Sequence, residues 1–303
     1  MTYRLLYLLI GFLVVNISYI HATPVRSAEP VFLVNAYGFV RHIDTNYIFS
    51  LLRKSVAAAY ANRDSALRLN NAMLQYSLER GFADGIAIGY MNAGVYETEK
   101  GSLDTAINYF HKAYPYCQIA LRKSDLLPSW HTNIGGLYFY KGEYEKAANE
   151  HFNALKSLAI SGVSSQPYAY INIYNNLSST YIRLGNTTLA FRYTDMAKRL
   201  AMKHDLKDQL ATTVSVEAYN YLHINDFDQA LGSYMHALSM VSKSNSIEEL
   251  KSIYNGIGEV KLKQNKPEES IPWLRKAIDE HKDYNPLTTA IFPKYNLALA
   301  LYK

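Results

Sequence analysis

Apolar and small residues along this chain fall into helical phase, break, and return at a nearly fixed distance. The clearest stretch is Leu126 to Ser161, LLPSWHTNIGGLYFYKGEYEKAANEHFNALKSLAIS. Ile134, Gly135, Tyr138 and Phe139 recur with helical spacing, and Pro128 suits a first helical position, where its missing N–H costs nothing. Lys141, Gly142 and Glu143 break the pattern, because glycine closes a helix cheaply in the left-handed conformation. Tyr144, Ala147, Ala148, Phe152, Ala154 and Leu155 then form the buried stripe of a second helix. The alanine that opens this second stripe recurs at Ala66, Ala106, Ala147, Ala190 and Ala230, with Ser270 as the sixth. The steps are 40, 41, 43, 40 and 40 residues. A period held over six units predicts a solenoid of antiparallel helix pairs.

These residues resemble a tetratricopeptide (TPR) repeat. Ile134, Gly135, Tyr138, Gly142, Tyr144, Ala147, His151 and Ala154 stand at its large apolar, small, aromatic, glycine, aromatic, alanine, bulky and alanine places. The period exceeds the standard repeat of about 34 residues. Each helix pair is therefore lengthened by about a turn, at roughly 3.6 residues per turn. The pattern is similar to the long-repeat branch of the family, as in bacterial peptide-responsive regulators and kinesin light chain. The resemblance implies an all-α fold, a right-handed α-solenoid of antiparallel helix pairs, or TPR-like superhelix, over residues 41–303.

The other units follow with local departures. Unit two keeps Ala93, Gly94, Gly101, Ala106, Phe110 and Ala113, but its aromatic, Tyr96, stands one place early. Unit four has Leu177, Ser178, Tyr181, Gly185, Ala190 and Ala197; unit five has Ala218, Tyr221, Asn225, Phe227, Ala230, Tyr234 and Ala237. Unit six keeps Ile257, Gly258, Leu274 and Ala277, with Pro267 opening its second helix. Unit one, around Ala57 to Met73, is degenerate, as capping repeats usually are. Pro115 and Pro272 fall inside second helices, where each is expected to remove a hydrogen bond and kink the helix. Leu297 and Ala298 repeat the apolar-small pair 40 residues after Ile257 and Gly258, so Ile291 to Lys303 reads as the first helix of a seventh unit. The expectation is a truncated solenoid with more chain downstream.

Residues 1–22, MTYRLLYLLIGFLVVNISYIHA, change the picture of where the solenoid works. One basic residue, an apolar run from Leu5 to Val15 and a closing Ala22 follow the grammar of a secretory signal peptide. The run is too short for the roughly 20 apolar residues of a membrane span. The expectation is an exported protein, periplasmic or anchored facing the periplasm, with 23–40 as an extended lead-in in which Pro24 and Pro30 block regular structure.

Charge and chemistry narrow the function further. The net charge of +5 becomes 5 − 1 = +4 without the first 22 residues, which hold one Arg and no acid. So small and scattered an excess gives no reason to expect nucleic acid. The single cysteine, Cys117, excludes an intramolecular disulfide and reads as a small structural hydrophobe. The chain carries no phosphate loop, dinucleotide fingerprint, nucleophile elbow or His-Glu-x-x-His pair, so neither enzyme activity, metal nor cofactor is expected. Glu143, Glu145, Asp226 and Asp228 open second helices, where the helix dipole favours anions.

What remains is a polar column. Asn92, Asn133, Asn176 and Asn296 each precede the apolar-small pair of a first helix. In TPR proteins the first helices line the concave groove, and the resemblance implies that an asparagine here hydrogen-bonds the backbone of an extended peptide. One amide donates and accepts, matching a peptide unit whatever its side chain. The same residues can equally cap and bridge neighbouring helices. Asn172, Asn175, Ser179, Arg183, Tyr140, Tyr219 and His223 are assigned to the same face, with Arg183 standing as an isolated base, so a paired clamp for a free C-terminus is not expected. The expected partner is a protein or peptide. The arrangement resembles the exported sensor region of Gram-negative signalling proteins; alternatives are a free periplasmic adaptor, an assembly factor, or the accessory domain of an enzyme.

Overall fold

The computed structural model describes residues 31–34, 40–59, 62–160, 167–241, 247–279 and 287–302. Residues 1–22, expected to be a signal peptide, and most of 23–40 lie outside them. Two short strands, β1 (Val31–Val34) and β2 (Val40–Ile43), pair antiparallel with Val31 opposite Ile43. Thirteen helices follow among the described residues: α1 (Thr45–Ala59), α2 (Arg63–Arg80), α3 (Ala83–Glu99), α4 (Leu103–Ile119), α5 (Lys123–Tyr140), α6 (Tyr144–Ile160) and α7 (Pro167–Arg183). After these come α8 (Thr187–Lys203), α9 (Lys207–His223), α10 (Phe227–Met240), α11 (Ile247–Lys263), α12 (Pro267–Asp279) and α13 (Leu287–Tyr302). The described residues fall into two compact units divided between Ile134 and Gly135, inside α5.

In both units the small residues sit where helices meet. Ala66, Ala106, Ala147, Ala190, Ala230 and Ser270 are all completely buried, as are Ala113, Ala154, Ala197 and Ala237 seven residues further on in four of the same helices. The bulky residue between them presses on a small residue 16 positions earlier, on the first helix. A Cβ built on Gly94 would lie 2.6 Å from the ring of Phe110, one on Gly135 2.6 Å from the ring of His151, and one on Gly258 2.5 Å from Leu274. In the fourth pair two hydroxyls replace the mismatch of sizes: Ser178 Oγ lies 2.7 Å from Thr194 Oγ1. Such approach leaves no void and no room, the condition for native packing density.

Turns complete each pair. Gly101, Gly142 and Gly185 take positive φ between the helices of units two to four, and Asn225 (φ 62°) and Asn265 (φ 59°) take their place in units five and six. Asparagine is among the few side-chain-bearing residues that tolerate this conformation, because its short polar group bonds locally. Asn62, Asn186 and Asp226 then cap α2, α8 and α10 by accepting the N–H three residues on, each cap contributing about 1 kcal/mol.

The unit ending at Ile134 packs α1 on α2, α2 on α3 and α3 on α4. Tyr96, the aromatic one place early, reaches back to α1, its hydroxyl 3.2 Å from Ser55 Oγ. Helix α5 begins at Lys123, five residues before the start suggested by Pro128. The buried Asp84 carboxylate explains the earlier start: it accepts the N–H groups of Leu121 (2.8 Å) and Arg122 (3.0 Å) just ahead of the first turn. Pro128 then falls early inside the helix, where it removes one bond without ending it. Pro115 and Pro272 likewise lie within continuous helices, α4 and α12.

In the unit from Gly135, α7 packs on α9, α9 on α11 and α11 on α13. The first helices thus form a continuous layer. Each of the second helices α8, α10 and α12 packs against the first helix of its own repeat and that of the next. Val214, Ala218, Leu222, Ala230, Tyr234, Ala237, Ile253, Ile257 and Val260 make one core from two successive repeats.

Candidate functional site

The layer of first helices presents a polar face in the unit from Gly135. On α7, Asn172, Asn176 and Arg183 are half-buried; on α9 Thr212, Tyr219 and His223; on α11 Ser252, Asn255 and Glu259. They keep the phase of the solenoid, since Asn172, Thr212 and Ser252 stand 40 residues apart, as do Arg183, His223 and Lys263. Spacings of three and four along each helix hold these residues on one side.

Ten of the residues first assigned to the groove divide into four kinds. Asn92 and Asn296 are buried and their amides are engaged between helices: Asn92 Nδ2 donates to Asn70 Oδ1 at 3.1 Å, and Asn296 Nδ2 to Asn255 Oδ1 at 3.0 Å. Asn133, Asn175 and Tyr140 are also buried. Asn175 Nδ2 donates to Thr213 Oγ1 at 3.1 Å, while the carbonyl oxygens of both Asn133 and Asn175 have no partner. Asn172 and Asn176 remain half open, with no side-chain bond among the described residues.

Arg183, Tyr219 and His223 come together. Arg183 Nη2 donates to the Tyr144 hydroxyl at 2.5 Å, its Nη1 lies 3.2 Å from His223 Nε2, and the guanidinium stands 5.0 Å over the Tyr144 ring. The Tyr219 ring lies on His223 at 4.2 Å between centroids. Burial, then the positive charges of Arg183 and Lys263, hold the His223 imidazole down at about 4, so it is neutral at pH 7. Burial pushes the Tyr219 hydroxyl well up, and Arg183 partly opposes it. The guanidinium is near enough to act on that hydroxyl, yet no bond of proper geometry forms and the oxygen is left unpartnered. Glu259 is raised by its burial, against the pull of Lys263 and Arg183.

Glu259 and Lys263 were not singled out by sequence, and Tyr144 was read there only as an aromatic of a second helix's buried stripe. The signal for Lys263 was present in the 40-residue step from Arg183 through His223, the same phase that the buried alanines keep. Tyr144 carried no such signal, because it opens a second helix 39 residues before Arg183.

The Cys117 thiol is buried against the Met91 sulfur at 3.8 Å and pushed up to about 12 by burial, so it is a packed thiol rather than a nucleophile. Among the described residues no group of three or more His, Cys, Asp or Glu is placed to hold a metal, and no helix is long and apolar enough to cross a membrane.

Comparison with known proteins agrees with this architecture. The family model described as "Tetratricopeptide repeat" matches residues 252–281, spanning most of α11 and α12. The regulatory protein RapK of Bacillus subtilis (strain 168) is 27% identical over 150 residues, which cover 46% of this chain and 39% of that protein. The match thus spans about two fifths of the relative's length. Among solved structures, NprR in complex with its cognate peptide NprX superposes with a TM-score of 0.61 at 18% identity, covering 87% of this chain and 74% of that one. A thermophilic TPR protein of Thermus thermophilus, TTC0263, gives 0.51 at 18% identity, covering 72% and 100%. At these identities the likeness is one of fold.

Proposed function

We propose that this tetratricopeptide-repeat solenoid is a non-catalytic scaffold whose first helices hold an extended peptide or protein segment. We further propose that it is exported and forms the sensor or interaction region of a larger signalling protein. The observation that carries the binding reading is on α7. Asn172 and Asn176, one turn apart, offer free amides, and beside them Asn175 Oδ1 and Ser179 Oγ are buried without a partner. Buried polar atoms in native proteins are nearly always paired, so unpaired ones clustered on one helix point to a ligand that completes them. An extended backbone supplies donors and acceptors for both kinds of atom. The complex of NprR with NprX supports the reading by showing a peptide on a solenoid of this fold. Export is supported by the charge and apolar grammar of residues 1–22.

The test is retention of randomised nonapeptide pools on the immobilised 303-residue chain, compared with Asn172→Ala/Asn176→Ala. Two lost amide pairs of roughly 0.5 to 1.5 kcal/mol each lower affinity about 5- to 150-fold. Melting temperature stays within a degree or two, because both side chains are partly exposed. Equal retention by the two proteins, or retention of no pool by either, would overturn the reading.

A further inference from the structure

Arg183 is the last residue of α7, where a basic side chain is favoured by the helix dipole. That preference is satisfied by a side chain in solvent. Arg183 is instead half-buried and held in place by Tyr144 and His223. Both holders are neutral: a phenol, and an imidazole held down at about 4. They orient the guanidinium without cancelling its charge. Among the described residues no carboxylate lies within ion-pair distance of it, and its field reaches Glu259 only at longer range. Counting Lys263, which acts on the same groups, the cluster holds 1 + 1 − 1 = +1 with Glu259 ionised.

A second observation points the same way. The Tyr219 hydroxyl is buried against His223 and has no partner. An O–H donor without an acceptor and a guanidinium without an anion thus face one another. A group with several acceptor oxygens and a negative charge satisfies both, and the planar guanidinium matches a carboxylate in shape. We propose that the cluster of Arg183, Tyr144, Tyr219 and His223 anchors a carboxylate of the bound peptide, presented by an aspartate or glutamate side chain. This rests on the peptide-binding reading above, and it adds what fixes the peptide's position along the first helices.

The experiment uses nonapeptide pools with a fixed central Asp, Glu, Asn, Gln or Lys among neutral randomised positions. The pools are acetylated and amidated, with a parallel set left with free C-termini. Retention on the 303-residue chain is read by mass spectrometry. The expected result is enrichment of the Asp and Glu pools over their amide counterparts by about tenfold or more, as for hydrogen bonds to a charged group. Arg183→Met abolishes that preference while retaining Asn pools as before. Tyr219→Phe, which removes only the hydroxyl, weakens the preference several-fold and carries the test should Arg183→Met fail to melt cooperatively. Equal retention of Asp and Asn pools by the wild-type chain overturns the anchor and leaves peptide binding intact. Enrichment confined to free C-termini assigns the carboxylate to the chain end and overturns the side-chain assignment. Retention of no pool removes both readings together.

Discussion

His151 is a test of the packing argument that pH can read directly. Its ring fills the space over Gly135, is completely buried, and has no partner for Nδ1. Burial alone drives the imidazole from 6.5 down to about 3. A group whose folded value is depressed contributes stability above its unfolded value and loses it as pH falls through the interval toward the folded one. Here that window runs from about 6.5 down to about 3. Lowering the pH to 5 crosses about 1.5 pH units of it, and at about 1.36 kcal/mol per unit the loss is on the order of 2 kcal/mol. Phenylalanine already occupies the equivalent place over Gly94, as Phe110. His151→Phe therefore keeps a ring of suitable shape and removes the titration. Urea denaturation at pH 7.5 and at pH 5 is the assay. Other groups titrate in both proteins, so the quantity read is the difference between the two pH-dependent losses. We expect the wild type to lose about 2 kcal/mol more than His151→Phe. Parallel losses would refute the reasoning, and show that the folded protein admits a charged imidazole or water at this site.

Two further expectations follow from the same geometry and from the proposed export. Ala190→Arg places a charge and excess volume at a fully buried helix contact and costs roughly 3 kcal/mol or more, by overpacking and burial of an unpaired charge; an unchanged thermal melt would show that the helices do not meet there. Mature protein recovered from the cell envelope begins at Thr23 if Ala22 precedes the cut, and mass spectrometry finding Met1 to Ala22 still attached would replace cleavage by an N-terminal anchor.

The fold was legible because its main constraint is steric and local. Close approach of two helices demands a small residue at a fixed place, and the demand recurs every 40 residues or so, which makes Ala106, Ala147 and Ala190 visible as a series. Helix starts were less legible. Pro128 looks like an opening residue, and only the reach of Asp84 across 37 residues to Leu121 shows why α5 begins earlier. The polar column was the least readable. Asn92, Asn176 and Asn296 look alike in sequence, yet two of them meet an asparagine on a neighbouring helix and one meets nothing among the described residues. An amide's partner is set by what stands opposite, and a one-dimensional pattern does not carry that.

A chain of look-alike hairpins faces a particular hazard, the pairing of a first helix with the second helix of the wrong repeat. The contacts 16 residues apart act as a size key against such slips. Phe110 needs the bare backbone of Gly94, whereas Ser178 meets Thr194 through matched hydroxyls. Exchange those two second helices and Phe110 strikes the Ser178 side chain, while Thr194 leaves a gap over Gly94. Consecutive repeats share a period without being interchangeable parts. The order of repeats along the solenoid is written into the volumes of a few facing residues, and any recombination of this chain by repeat shuffling has to carry both halves of each pair together.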